Sequence, residues 1–139
     1  MVYHIIAILG LHFVADFLLQ TRKMGLNKGK SVMWLSIHVG VYLIALLSFG
    51  LVFGHNVVDP AEGMLPILEY CLLNAVLHWV TDFSTSKLSG WCYLKMVKYQ
   101  KEGNTKKEHF WQYHFWSVIG LDQFIHALCL LLTYQFFFV

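Results

Sequence analysis

Charged residues are scarce in this chain, and their scarcity excludes an ordinary soluble domain. Of its 139 residues 13% are charged and 58% are hydrophobic, whereas soluble domains average about 25% charged residues. Cysteine is sparse as well, since Cys71, Cys92 and Cys129 form neither a CxxC pair nor an even set. We therefore expect reduced, structural thiols and no disulfide framework. The composition is that of an integral membrane protein.

Four apolar segments divide the chain, at about residues 3–21, 32–53, 65–86 and 115–138. Each is close to the roughly 20 residues that a helix needs to cross about 30 Å of hydrocarbon. The first segment lacks a basic start and contains His12 and Asp16, which argues against a signal peptide. We expect a single all-α domain over residues 1–139, an integral membrane bundle of four antiparallel, up-down transmembrane helices.

The positive charges predict the topology of these spans. All ten Lys and Arg residues lie in two connections, between the first and second spans and between the third and fourth, while "GHNVVDPAEG" between the second and third has none. The positive-inside rule then places both basic connections in the cytoplasm and both termini outside. The longer one, residues 87–114, alternates apolar residues with lysines, so we expect an amphipathic cytoplasmic loop that binds anionic lipid headgroups. We expect no nucleic acid partner.

Polar residues recur at four-residue spacing inside the apolar segments. The first span carries "HFVADFLLQ", in which His12, Asp16 and Gln20 follow one another at intervals of four. The third span carries "HWVTD" and the fourth carries "DQFIH". Side chains four apart share one face of a helix. The fourth span runs antiparallel to the other two, so its reversed order keeps the heights similar. We expect one shared site in the cytoplasmic half, formed by His12, Asp16, His38, His78, Asp82, Asp122 and His126.

A bound cation accounts best for these buried acids. Three Asp residues near the bilayer centre cost about 8 to 10 kcal/mol, unless protonation, Asp–His pairing or a metal compensates. His and Asp four apart can converge on one ion, as the two histidines of HExxH do on zinc. Seven donors suit two ions with a bridging carboxylate, or one ion with Asp–His partners behind its ligands. We expect a divalent metal, with zinc favoured and Mn, Fe or Mg also compatible.

These expectations combine into a membrane-embedded, metal-dependent hydrolase. A metal-activated water would cleave a lipid or phosphoester substrate that enters from the cytoplasmic side. A carboxylate that is not on the metal, Asp16 or Asp82, would be the general base, and Gln20 and Gln123 would orient water or substrate. Two alternatives stay open: a proton- or cation-coupled transporter or channel subunit, which requires a homo-oligomer, and a non-catalytic regulatory protein whose polar residues fix helix register.

The polar motifs also resemble those of a family. "HFVADFLLQT", a His early in the second span, "HWVTD" and "DQFIHAL" resemble, in order and spacing, the small bacterial and phage membrane proteins of domain-of-unknown-function family 3307. The resemblance covers nearly the whole chain, and it implies a multi-pass protein of the bacterial inner membrane with functional polar positions at these residues. A looser similarity, in residue types alone, is to metal-dependent membrane hydrolases of the alkaline ceramidase kind.

Overall fold

The computed structural model describes residues 2–54, 58 and 63–139, and these residues are mostly helical and contain no strand. The expected all-α class is therefore confirmed. Most of the connection between the second and third expected spans, residues 55–57 and 59–62, lies outside the described residues. The helices are α1 (Val2–Phe13), which continues into a π-helical turn (Val14–Leu18), α2 (Arg22–Asn27), α3 (Val32–Phe53), α4 (Leu65–Lys101) and α5 (Thr105–Phe138).

The helices differ in whether their length and hydropathy suffice to cross a membrane. In the described part of the chain, α3 and α5 are long and apolar enough to cross a bilayer. The segment Val2–Leu18 is apolar but shorter. α4 packs along both α3 and α5, and α1 packs against the same two helices. The described residues thus contain two candidate spans, whereas the sequence predicts four.

The prediction of a loop at residues 87–114 is wrong, because most of this segment is helical. It forms the end of α4 and the beginning of α5. α4 is 37 residues long, about 55 Å at 1.5 Å per residue. α4 ends at Lys101, and Gly103 follows with φ 68°, a left-handed conformation that glycine adopts at little cost. Aromatic pairs such as Trp91 on Trp111, with ring centroids 4.8 Å apart, hold the two helices together. Residues 87–114 are called the basic hairpin below.

The connection between the first and second expected spans contains a short helix. This helix is α2, whose first turn is capped by Thr21 Oγ1 accepting a 3.3 Å hydrogen bond from the backbone N–H of Met24. Ser31 is the N-cap residue of α3, but its side chain makes no capping hydrogen bond. A Cβ at Gly29 would lie 2.9 Å from the backbone oxygen of Ser86. The connection therefore packs directly against α4.

A hydrophobic core fills the end of the bundle away from the basic hairpin. α3 and α4 approach closely there, because a Cβ at Gly50 would overlap the side chain of Ile67. Close approach of helix backbones at glycine is a common way to gain van der Waals contact without large side chains. The buried residues that define this apolar end are Ile8, Tyr42, Leu46, Phe49, Ile67, Tyr70, Leu130 and Tyr134.

Candidate metal centre

Seven ionisable side chains from α1 and its π-helical turn, α3, α4 and α5 meet between the core and the basic hairpin. Each is buried, with at most 6% of its surface exposed. The structure thus brings together the residues that the sequence predicts to share one site. They are named the polar cluster: His12, Asp16, His38, His78, Asp82, Asp122 and His126.

Three side chains of the polar cluster present donor atoms at the spacing of a zinc site. Nε2 of His38 lies 3.2 Å from Nε2 of His78, and Oδ2 of Asp82 lies 3.2 Å from the first nitrogen and 3.6 Å from the second. Zinc ligands at 2.0–2.2 Å in a tetrahedron stand about 3.3 to 3.6 Å apart. These three atoms, called the donor triangle below, are therefore spaced closely enough to be ligands of one ion.

Asp16 faces the same pair of imidazoles. Its Oδ1 lies 3.5 Å from Nε2 of His38 and 3.4 Å from Nε2 of His78. This oxygen is buried and makes no hydrogen bond of good geometry. Asp16 can therefore complete the coordination of an ion held by the other residues, or accept a proton from a water bound beside it.

Further donors of the polar cluster offer room for a second ion. One ligand atom from each of Asp16, Asp122 and His126 can be chosen so that all lie within 4.8 Å of one another, and the same holds for His12, Asp16 and His78. Asp16 is common to both groups, so it would be a ligand of a second ion, whereas with one ion in the triangle of His38, His78 and Asp82 it stays off the metal. The sequence-based alternatives of one ion or two both fit this arrangement.

Unpartnered polar atoms support the fit to a cation. Buried polar atoms in folded proteins are nearly all hydrogen bonded, yet eight side-chain atoms in the described part of the chain are buried without a partner. Seven of them belong to the polar cluster and the eighth is Oε1 of Gln20. Imidazole nitrogens and carboxylate oxygens are ordinary ligands of zinc. Both ring nitrogens of His12 and of His126 are among the unpartnered atoms, so an ion held by either of the two further donor groups would satisfy one of them, whereas the three donor atoms of the triangle are not among them.

The π-helical turn changes the predicted face of the first span. Leu19 N donates to Val14 O, five residues back, at 2.9 Å, and the helix ends at Leu18, not at residue 21 as expected. His12 and Asp16 still come together, with Nδ1 and Oδ2 3.8 Å apart, but Gln20 follows the end of the helix. The prediction that all three lie on one helical face is wrong for Gln20. Single π turns often occur at functional sites.

The roles predicted for the two glutamines differ in their structural support. Nε2 of Gln123 donates to Oδ2 of Asp122 at 3.0 Å and to Oδ2 of Asp16 at 3.3 Å. Gln123 therefore holds two carboxylates of the polar cluster. Gln20 lines the same cavity as Asp16, and its Nε2 would lie 3.0 Å from a Cβ at Gly25, so it packs on α2 beside the cluster.

Sequence reasoning missed two residues that contact the polar cluster. Nζ of Lys28 donates to both oxygens of Asp82, at 3.0 Å each, although the lysines of this connection served only to predict topology. Oγ1 of Thr85 donates to Oδ1 of Asp122 at 2.5 Å. The spacing Asp82-x-x-Thr85 on one helix face could have suggested Thr85, whereas nothing local marks Lys28, because the packing of Gly29 on α4 brings it there.

A cavity of about 690 Å³ leads to the polar cluster between α2, α4 and α5. The carboxylates of Asp16, Asp82 and Asp122 line its inner end. Its walls are largely apolar, and lysines lie among its more exposed lining residues. Volumes of 300 to 1,000 Å³ with few convergent polar groups are typical of small-molecule sites. The cluster is therefore reachable from outside the protein.

Comparisons of the chain with protein-family models, curated proteins and solved structures found no match. The resemblance to domain-of-unknown-function family 3307 stays a prediction.

Proposed function

We propose that this protein is a membrane-embedded, metal-dependent hydrolase that cleaves a lipid ester or phosphoester. The observation that carries the proposal is the donor triangle of His38, His78 and Asp82, with edges of 3.2 to 3.6 Å, at the inner end of an accessible cavity. Three protein ligands with a further open position are typical of catalytic zinc sites. A zinc ion bound there would acidify a water molecule and polarise the bond to be broken.

The residues around the triangle divide the remaining chemistry. Asp16, whose Oδ1 is 3.4 to 3.5 Å from both imidazoles, is the general base that takes the proton of the attacking water. The water oxygen bonds to the carbonyl carbon or phosphorus, the bond to the leaving oxygen breaks, and that oxygen receives the proton. Gln123 holds Asp16 and Asp122 in place through its amide N–H groups.

The membrane arrangement belongs to the same proposal. We infer four spans, with α1 and the first half of α4 crossing the bilayer beside the two apolar helices α3 and α5. The basic connections then lie in the cytoplasm and the termini outside, as in an inner-membrane protein of a bacterium or phage. Support comes from the lysines, which lie at the cavity end of the bundle and in the basic hairpin, where a substrate from the cytoplasmic leaflet would enter.

If the polar cluster were purely structural, it would bind no metal. In that case Lys28 neutralises Asp82, and one of the imidazoles of His38 and His78 donates to the other across 3.2 Å. Such a network needs no ion, and its removal would affect stability alone. Metal content therefore separates the two functions.

The test is elemental analysis of protein purified without added chelator. We expect one or two zinc equivalents per chain, and near-complete loss from the triangle in His78→Ala. The control is His4→Ala, since His4 also lies in a helix and is hydrogen bonded, to Tyr134 OH at 3.1 Å, but is outside the polar cluster. A folded wild-type protein without metal would overturn the proposal.

Hydrolysis is tested on the same preparations with two chromogenic substrates, 4-nitrophenyl dodecanoate and dodecyl 4-nitrophenyl phosphate. Removal of a general base lowers rates by about 10² to 10⁴-fold. We expect that loss in Asp16→Asn at an unchanged metal content of the triangle. Metal binding without hydrolysis of either substrate, together with cation or proton flux in liposomes that His78→Ala abolishes, would instead identify a transporter.

A further inference from the structure

The cavity that reaches the polar cluster has a chemically divided lining. Its inner end carries carboxylates, while apolar side chains from α2, α4 and α5 form its walls. Several of these wall residues are well exposed, with Trp91 at 48% and Leu94 at 67%. The cavity thus opens to the outside past apolar side chains, as an entrance for an apolar chain would. The wall residues are Leu26, Trp91, Leu94, Phe115, Val118 and Ile119.

Three lysines lie together on one side of this lining. Lys28 and Lys30 flank Gly29, whose position for a Cβ is 2.9 Å from the backbone oxygen of Ser86, and Lys87 is the next residue on α4. All three lysines line the cavity. The contact between the connection and α4 therefore brings positive charges from two segments to one place.

Two of these lysines are available to an anion. Lys28 is paired with Asp82, but within the described ranges neither Lys30 nor Lys87 forms an ion pair with a carboxylate. Nζ of Lys87 lies 3.5 Å from the ring centroid of Phe83, which places this charge against an apolar surface. Two ammonium groups beside apolar walls match a ligand that is anionic at one end and apolar along its length.

We propose that the cavity binds a single-chain amphiphile with a phosphate head group, the phosphate between Lys30 and Lys87 and the chain along the apolar walls. A phosphate can carry two negative charges and so matches both lysines. The volume of about 690 Å³ suits one small ligand. Lys87 lies five residues beyond Asp82, about 7.5 Å along the axis of α4 and about 140° around it, and both residues line the cavity. A phosphate bound at Lys87 therefore lies in the cavity that reaches the donor triangle.

This inference names the substrate class of the proposed hydrolase, and its hydrolytic part rests on that proposed function. Binding of the amphiphile does not depend on that function, because Lys30, Lys87 and the apolar walls are separate from the donor triangle. The experiment therefore measures binding to metal-free protein. The probe is dodecyl phosphate with two bromine atoms near the chain end, which quench tryptophan fluorescence on contact, added to chelated protein in phosphatidylcholine nanodiscs.

We expect saturable quenching, chiefly of Trp91, that unbrominated dodecyl phosphate displaces and that equal concentrations of inorganic phosphate or dodecanol do not. Gly90 lines the cavity and Gly120 does not; both are exposed helical glycines with no atom within 4 Å of an added Cβ. Gly90→Leu places a side chain in the cavity, so we expect at least tenfold weaker binding. Gly120→Leu, the matched control, keeps the wild-type affinity.

Charge gives the second comparison. Lys30→Gln combined with Lys87→Gln should weaken binding at least tenfold, whereas Lys106→Gln combined with Lys107→Gln removes the same charge from the basic hairpin outside the cavity and should change it less than twofold. Equal effects of the two double variants, equal effects of the two leucine variants, or displacement by dodecanol or inorganic phosphate alone would each overturn the proposal.

The two proposals fail separately in these experiments. Saturable binding to metal-free protein supports the amphiphile site even where metal analysis or the hydrolysis assays reject the enzyme. Hydrolysis of 4-nitrophenyl dodecanoate by a metal-loaded protein that does not bind the phosphate probe would support the enzyme and overturn the amphiphile site.

Discussion

The two ends of this bundle satisfy their buried polar groups in different ways. At the apolar end, the side chain of Asn74 bonds Thr133 Oγ1 at 2.8 Å and the backbone oxygen of Tyr70 at 2.9 Å, and Tyr70 OH donates to a backbone oxygen at 3.4 Å. In the polar cluster, seven buried nitrogen and oxygen atoms have no partner in the described residues. The polar groups named at the apolar end are hydrogen bonded within the protein, whereas the polar cluster contains buried donors and acceptors without partners.

Under the proposed function, this difference separates an end that carries stability from an end that binds a metal. Unsatisfied buried polar groups cost about 1 to 3 kcal/mol each, so a fold retains them where they serve another purpose. The apolar end, with its close helix contact at Gly50 and Ile67, compensates for that cost. Functional sites commonly carry such locally unfavourable arrangements while the rest of the structure supplies the stability.

The largest effect is expected from Lys28→Met, which leaves the Asp82 carboxylate without its ammonium partner. Loss of one member of a buried ion pair costs about 3 to 5 kcal/mol, and we expect the lower figure because His38 and His78 also face this carboxylate. The free energy of unfolding of metal-free protein, measured by dodecyl sulfate titration in mixed micelles, should fall by about 3 kcal/mol.

Lys28→Met should also change the affinity of the polar cluster for metal. A divalent ion at Asp82 replaces the lost positive charge, so Lys28→Met should bind zinc at least tenfold more tightly than wild type, by about 1.4 kcal/mol. Lys23→Met removes an exposed lysine from the same connection and should leave both stability and zinc affinity unchanged. Weaker zinc binding by Lys28→Met would mean that Lys28 holds the site in shape and does not compete with the ion.

The sequence predicted the members of the polar cluster well, and for a physical reason. Ionisable residues are costly inside apolar segments, so each of His12, Asp16, His78, Asp82 and Asp122 stood out from its neighbours, and helical spacing related one to the next. Residues that reach the cluster from outside such segments gave no comparable signal. Lys28 is one positive charge among several in a basic connection, and a tertiary contact decides its role.

The error in the basic hairpin has a related cause. Alternation of lysines with large apolar residues is equally typical of a segment on a membrane surface and of two long helices that pair along one side. The pairing of Trp91 with Trp111 favours the second arrangement, and no local pattern reveals it. The π-helical turn at Val14–Leu18 was missed for the same reason, since a one-residue change of helical register depends on the packing of its neighbours.

An intermediate effect is expected from a substitution at the apolar end, Gly50→Val. The added side chain overlaps Ile67, and overpacking of a close contact costs about 1 to 3 kcal/mol. The control is Gly40→Val on the same helix, because a Cβ there meets no atom within 4 Å. Zinc content should be unchanged in both variants. If Gly50→Val lost metal as well as stability, the two ends would be coupled and the division between them would fail.

The smallest effect is expected from Thr133→Val, which removes a hydroxyl at the apolar end with little change of shape. Asn74 keeps its bond to the backbone oxygen of Tyr70 but loses its partner on α5, and interhelical hydrogen bonds in membrane proteins are worth about 0.6 to 1.7 kcal/mol. Thr81→Val is the matched control, since the Thr81 hydroxyl bonds Leu77 O of its own helix at 2.9 Å. The same titration should show a loss for Thr133→Val and almost none for Thr81→Val. Equal losses would mean that the bond between α4 and α5 adds nothing beyond the hydroxyl itself, and the apolar end would then owe its stability to packing alone.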